Sequence, residues 1–120
     1  METLKRSRDF DRVFRSGRSV ACRELVLFAL AKRRPGPRVG FCVSKKLGKA
    51  VVRNKLRRRL REVYRENVQN FNSRWDLVIV ARKDAAQATF QELRTAFLSL
   101  IKRLQKSNHH QASAARSPSV

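Results

Sequence analysis

Residues 39–65 read VGFCVSKKLGKAVVRNKLRRRLREVYR, and the hydropathy period changes in the middle of them. Up to Ser44, apolar Val39, Phe41 and Val43 alternate with Gly40, Cys42 and Ser44, the two-residue period of a strand. After Gly48 the period lengthens. Taken at 100° per residue from Val52, the side chains of Val52, Leu56, Leu60, Val63 and Tyr64 share about 120° of arc. Asn54, Arg58, Arg61 and Arg65 fall on the opposite side, with Arg57 beside them and Arg53 at the boundary. A strand, a basic turn and a helix with one core stripe and one Arg/Asn rail predict an α+β layer fold.

The flanking sequence extends this pattern in both directions. Ser7 to about Ser16 reads as a short helix with Phe10, Val13 and Phe14 at i, i+3, i+4, capped by Ser7 and closed by Gly17 at C′. Val20–Leu30 contains the run Leu25-Val26-Leu27-Phe28, read as one strand covered on both faces. Residues 32–37 form a Pro/Gly turn with an exposed cationic tip, and the Val39–Val43 strand is predicted antiparallel to the strand before it. Trp75–Ala81 is a third buried strand. Thr89-Phe90-Gln91-Glu92 fits a capping box opening a helix with Phe90, Leu93, Phe97, Leu100, Ile101 and Leu104 inward. The expected order is α-β-β-α-β-α in one domain over residues 1–105. From Lys106 onward small polar residues prevail, and residues 106–120 are expected to be a disordered tail.

Charge separates the function classes. Twenty-nine Lys+Arg stand against nine Asp+Glu, a formal net charge of +20 on 120 residues. Small soluble domains ordinarily carry a net charge of magnitude about 2–8. The excess is concentrated: residues 25–61 hold thirteen basic side chains and no acidic one. Self-repulsion on this scale calls for a polyanion, so nucleic acid or an anionic membrane is the expected partner rather than a neutral metabolite. The apolar runs near 25–31 and 77–81 are far too short to span a bilayer, and the N-terminal residues show no apolar signal segment. Two cysteines, Cys22 and Cys42, suit reduced core thiols in a cytoplasmic protein, a single bridge between strands being the alternative. Neither has metal-ligand spacing, and His109 and His110 lie in the polar tail.

The rail itself favours RNA or DNA. Like-charged pairs such as Arg57/Arg61 and Arg58/Arg61 destabilise a free helix, and the planar fork of Arg matches phosphate bidentately. A membrane-bound basic helix would offer its apolar face to lipid, whereas here neighbouring strands need that face as a cover. Phe10, Phe14 and Phe28 lie outside the basic helix, and two readings stay open for them: core packing, or a stacking wall for unpaired bases. No nucleophile elbow, phosphate-cradling glycine loop or Cys/His pair is present, and the nine acids are scattered. No protein side chain is expected to be catalytic.

The run from Arg38 through Glu62 closely resembles the signature of the bacterial ribonuclease P protein subunit. Its hallmark is an Arg-Asn pair followed by Lys/Arg-Arg and another Arg one turn on, here Arg53, Asn54, Arg57, Arg58 and Arg61. Asp9-Phe10…Val13-Phe14 and residues 76–83 extend the likeness to about residues 5–104. Lys55 stands where the motif often has Arg, which keeps the charge and loses the fork. The resemblance implies an α+β fold around a central, mostly antiparallel sheet with a left-handed βαβ crossover, as in the second domain of a small-subunit ribosomal protein. It implies the non-catalytic protein subunit of an endoribonuclease holoenzyme, whose RNA removes the 5′ leader of precursor tRNA. The RNA-binding residues it implies are Lys45, Lys46, Arg53, Asn54, Lys55, Arg57, Arg58, Arg61 and Arg65. Phe10, Phe14, Phe28 and Lys46 would form a leader-binding cleft. Mg²⁺ would be bound mainly by the RNA, with Asn54 sharing it. The partners implied are the catalytic RNA and precursor tRNA, with no membrane and no protein partner predicted. A ribosomal or other structural RNA-binding protein is the alternative.

Overall fold

The structure, a computed structural model, describes residues 1–33, 36–71 and 74–114. Five strands and three helices follow the order β1 (Glu2–Thr3), α1 (Ser7–Ser16), β2 (Arg18–Ala21), β3 (Leu25–Ala31), β4 (Arg38–Cys42), α2 (Ala50–Asn67), β5 (Trp75–Ala81), α3 (Phe90–Ala114). One sheet with strand order β1-β4-β5-β3-β2 carries them. Pairing is antiparallel for β2–β3 and β3–β5, and parallel for β4–β5 and β1–β4. The expectation of a mostly antiparallel sheet thus describes the β5-β3-β2 half, while β4-α2-β5 is a parallel βαβ unit.

Three sequence expectations are corrected. Val20–Leu30 is not one strand but the hairpin β2–β3. The chain turns through Cys22-Arg23-Glu24, and the Cys22 N–H donates to the Leu25 carbonyl at 2.9 Å. β3 and β4 do run in opposite directions, yet they are not neighbours, because β5 inserts between them. β5 is the most buried strand, because the central position covers both its faces. α3 continues to Ala114, past the expected start of the tail at 106. Lys106, Gln111 and the alanines are good helix formers, and no Gly or Pro interrupts the chain before Pro118. Residues 115–120 lie outside the described residues. The two-residue β1 had no periodic signal to announce it.

The larger core lies between one sheet face and the helices α2 and α3. It contains Leu25, Leu27, Val39, Leu77 and Ile79 from the strands, Leu56, Leu60, Val63 and Tyr64 from α2, and Leu93, Phe97, Leu100 and Leu104 from α3. The capping box at α3 forms in both directions. The Thr89 N–H donates to Glu92 Oε1 at 2.8 Å, and the Glu92 N–H donates to Thr89 Oγ1 at 3.0 Å. Hydrogen bonding from the Thr89 N–H, then from its hydroxyl, holds the Glu92 carboxyl below its ordinary pKa. α1 covers only part of the other sheet face, through Leu4, Val13 and Val78 with Phe10, Phe28, Leu30, Cys42 and Val80 packed alongside. β3 accordingly alternates between buried and half-buried residues instead of being covered on both faces.

Helix α1 starts without a side-chain cap: Arg6, not Ser7, is the capping residue, and it is extended. Gly17 is also extended, with φ −82°, so it is not the left-handed closing residue the sequence suggested. Its requirement is steric, since a Cβ there would stand 2.5 Å from the Val13 carbonyl oxygen and 2.9 Å from that of Ala29. Both cysteines are free and half-buried. Burial pushes the Cys42 thiol above its ordinary pKa.

Candidate nucleic-acid interface

Helix α2 shows its two faces as the periodicity predicts. Leu56 and Leu60 are 3% and 0% exposed, and Val63 and Tyr64 are buried beside them. Val52 departs from the stripe at 37% exposed. Two further interactions fasten α2 to α3 and to the segment just before it, and so set which face looks outward. Arg94 forks onto Glu66 with both N···O distances at 3.1 Å, and Arg59 Nη1 donates to the Ala88 carbonyl at 3.1 Å. Arg59 is therefore a structural arginine.

The opposite face is the expected rail. Asn54, Arg57, Arg58, Arg61, Glu62 and Arg65 surround a shallow open cavity of about 310 Å³. Within it Arg57 Nη1 donates to Asn54 Oδ1 at 3.2 Å, and Arg65 pairs with Glu62. Arg61 is exposed and rests over the Phe41 ring, 5.7 Å from its centroid, an interaction worth about 0.5–1 kcal/mol at an exposed site. Arg58 is exposed and has no ion pair among the described residues. Lys55 is exposed but lies outside the cavity lining.

Arg53 does not join the rail. It is half-buried, and its Nε donates to the Gly48 carbonyl at 3.1 Å, bracing the turn that enters α2. That turn is a single 3-10 turn over Lys45–Leu47, in which the Ser44 hydroxyl accepts from the Lys46 N–H at 3.1 Å. Leu47 packs on the core, which leaves Lys45 and Lys46 outward beside the start of α2. The first turn of α2 contains no acid. Cations at the positive end of the helix dipole are unfavourable until an anion joins them, which makes this end receptive to phosphate.

Phe10, Phe14 and Phe28 come together on the half-covered sheet face. Phe14 stands edge-on to Phe28 with centroids 4.9 Å apart, and Phe14 remains 39% exposed. Phe10 is half-buried against β4, where a Cβ on Gly40 would fall 2.4 Å from its ring. So Phe10 serves mainly as packing, while Phe14 and Phe28 offer an open aromatic patch. Lys46 has no cation–π contact with these rings among the described residues. It belongs to the turn beyond the C-terminal end of β4, which carries Cys42 on this same face.

Sequence reasoning missed the half-buried Val26, Cys42 and Val80, which extend the patch across β3, β4 and β5. Reading Leu25–Phe28 as covered on both faces concealed them. The alternating burial of a sheet with one face open is the signal that would have found them.

Asn54 does not fit a protein-held Mg²⁺. The ion demands near-octahedral oxygen coordination, whereas here a single amide oxygen is taken by Arg57 and surrounded by cations. No cluster of three potential metal-ligating side chains occurs among the described residues. Nor is any helix among them long and apolar enough to cross a membrane.

The family model described as Ribonuclease P matches residues 1–105. A ribonuclease P protein component of Natranaerobius thermophilus is 43% identical over 101 residues, spanning 84% of this chain and 88% of the relative. That of Clostridioides difficile is 39% identical over 101 residues, spanning 83% of this chain and 89% of the relative. Among solved structures, the RNase P protein of Staphylococcus aureus superposes with a TM-score of 0.82 at 30% identity, covering 88% of this chain and 96% of the other. The RNase P protein of Thermotoga maritima does so with a TM-score of 0.78 at 33% identity, covering 86% and 97%.

Proposed function

The chain belongs to the ribonuclease P protein family, the protein part of an endoribonuclease holoenzyme, and from that premise we propose which RNA each surface meets. The α2 rail, with Lys45 and Lys46 at its entrance, binds the catalytic RNA. The Phe14–Phe28 patch takes the single-stranded 5′ leader of precursor tRNA. The observation that carries the reading is the outward row of Asn54, Arg57, Arg58 and Arg61 around an open cavity, backed by a rigid core face.

The chemistry asked of the protein is electrostatic. Two polyanions must approach each other, and fixed guanidinium groups neutralise phosphates and release condensed counterions as they do so. Unpaired bases stack on aromatic rings without sequence demand, each contributing about 1–3 kcal/mol. Mg²⁺ arrives on the RNA phosphates, a reading supported by the lack of a cluster of three potential metal-ligating side chains among the described residues. The hydrolytic step belongs to the RNA, and the cytoplasm is where both RNAs would be met.

The test is reconstitution. Added to ribonuclease P RNA and precursor tRNA at low Mg²⁺, the protein is expected to restore accurate 5′ cleavage, with the leader released intact. RNA binding without rescue would instead point to a structural RNA-binding role.

A further inference from the structure

A cavity of about 670 Å³, larger than that of the rail, is neither the rail nor the aromatic patch. It lies at the N-terminal end of β4, and seven of its eleven lining residues are Lys or Arg. Lys5, Arg6, Arg8 and Arg12 come from α1 and the segment before it. Lys32 and Arg33 come from the connection after β3, and Arg38 from β4. The carboxylates in the lining are Glu2 and Asp9, and Asp9 already faces Arg12 at 3.7 Å and Arg38 at 3.9 Å.

Beneath this basin is a buried anchor. Asp76 of β5, 2% exposed, receives the fork of Arg38 and lies 3.4 Å from Lys32 Nζ. The floor is thereby held in place and its carboxylate is satisfied. Lys5, Arg6, Arg8 and Arg33 form no ion pair among the described residues. Such a concentration of unneutralised cations in one concavity recruits a polyanion.

Position indicates which one. Arg38, Gly40 and Cys42 share one face of β4, so the basin and the Phe10 ring are neighbours on that face, with Phe28 level with Gly40 two strands across through Val78. The rail and Lys46 begin beyond the other end of the strand. A strand of RNA that crosses Phe14 and Phe28 would reach the basin by passing around α1, whose Arg8 and Arg12 line it. Arg8 and Phe14 are six residues apart on α1, about 9 Å along its axis and about 120° apart around it, a path RNA covers in a few nucleotides.

We propose that this basin binds the phosphate backbone of the upstream part of the leader, beyond the bases stacked on Phe14 and Phe28. The proposal rests on the leader assignment made above and adds a second, purely electrostatic subsite that rewards longer leaders.

The test is the reconstituted holoenzyme with precursor tRNAs carrying a short leader and a long one. The triple variant Lys5→Gln/Arg6→Gln/Arg8→Gln changes only exposed side chains, and circular dichroism with thermal unfolding verifies its fold. The wild type should bind the long-leader precursor more tightly than the short one. In the variant that long-to-short affinity ratio should fall about tenfold. Its salt slope on the long-leader precursor should decrease by about 2, near 0.7 for each single-strand phosphate left unneutralised. An unchanged ratio overturns the proposal, as does an equal loss on both precursors together with weaker binding to the catalytic RNA alone, which would place that RNA in the basin. Phe14→Ala separates the two readings. If it lowers the long-leader affinity while the triple variant does not, the basin fails and the cleft stands; if neither matters, the leader assignment itself fails.

Discussion

Arg38 forks onto Asp76 across directly paired positions of β4 and β5, with Nε 3.0 Å from Oδ1 and Nη2 2.6 Å from Oδ2. The bond to Asp76 raises the Arg38 pKa above its ordinary value, against the opposing effect of burial. Lys32 completes the cluster, so one buried carboxylate organises cations from two separate segments.

Asp76→Asn removes the buried counter-charge of Arg38 and Lys32 and leaves Arg38 only the longer contact with Asp9 at 3.9 Å. Removing one member of such a pair costs about 3 kcal/mol or more. Urea unfolding is expected to show that loss as a lower midpoint with an unchanged slope. A loss below about 1 kcal/mol would mean that solvent already screens the cluster.

Tyr64 is the sole tyrosine of the chain, and burial, aided by the charge of Asp76, pushes its hydroxyl up to about 12. A group with a raised folded pKa contributes stability that is complete below its unfolded value, about 10, and fades as pH climbs toward the folded one. Phenolate absorbance should therefore appear near pH 12, or together with alkaline unfolding. A midpoint near 10 in the folded protein would contradict the packing of α2 on Phe41 and Phe71.

Phe14→Ala distinguishes a functional ring from a core one. Phe14 is partly exposed and its edge-on packing with Phe28 is worth about 0.5–1.5 kcal/mol, so the variant should stay folded with a modest loss of stability. Binding of a precursor with a leader should weaken by about 1–3 kcal/mol, and binding of a leaderless one should not. Global unfolding would assign Phe14 to the core.

Much of this was legible along the chain. The switch of period at Gly48, the apolar stripe of α2 and the Thr89–Glu92 box are local patterns, and the structure realises them in place. What escaped depends on partners distant in sequence. Nothing near Leu25 announces that residues fifty positions later insert beside β3, or that α1 leaves part of one sheet face open. Arg53 reads as part of a cationic row, yet the backbone carbonyl of Gly48 claims it. Lys5-Arg6 and Lys32-Arg33 read as separate exposed charges, and only the β1–β4 pairing and the docking of α1 gather them around one basin.

The central claim is that exposed guanidinium groups of α2 neutralise RNA phosphates. Its most direct test compares the salt dependence of catalytic-RNA binding for the wild type and for Arg58→Ala/Arg61→Ala. Apart from the stacking of Arg61 on Phe41, neither side chain supports the core, so the variant should unfold within about 1 kcal/mol of the wild type. Its affinity should drop at physiological salt, and the slope of log K against log salt should shrink by about 2, one for each phosphate that loses its arginine. Wild-type affinity and slope in a folded variant would contradict the account.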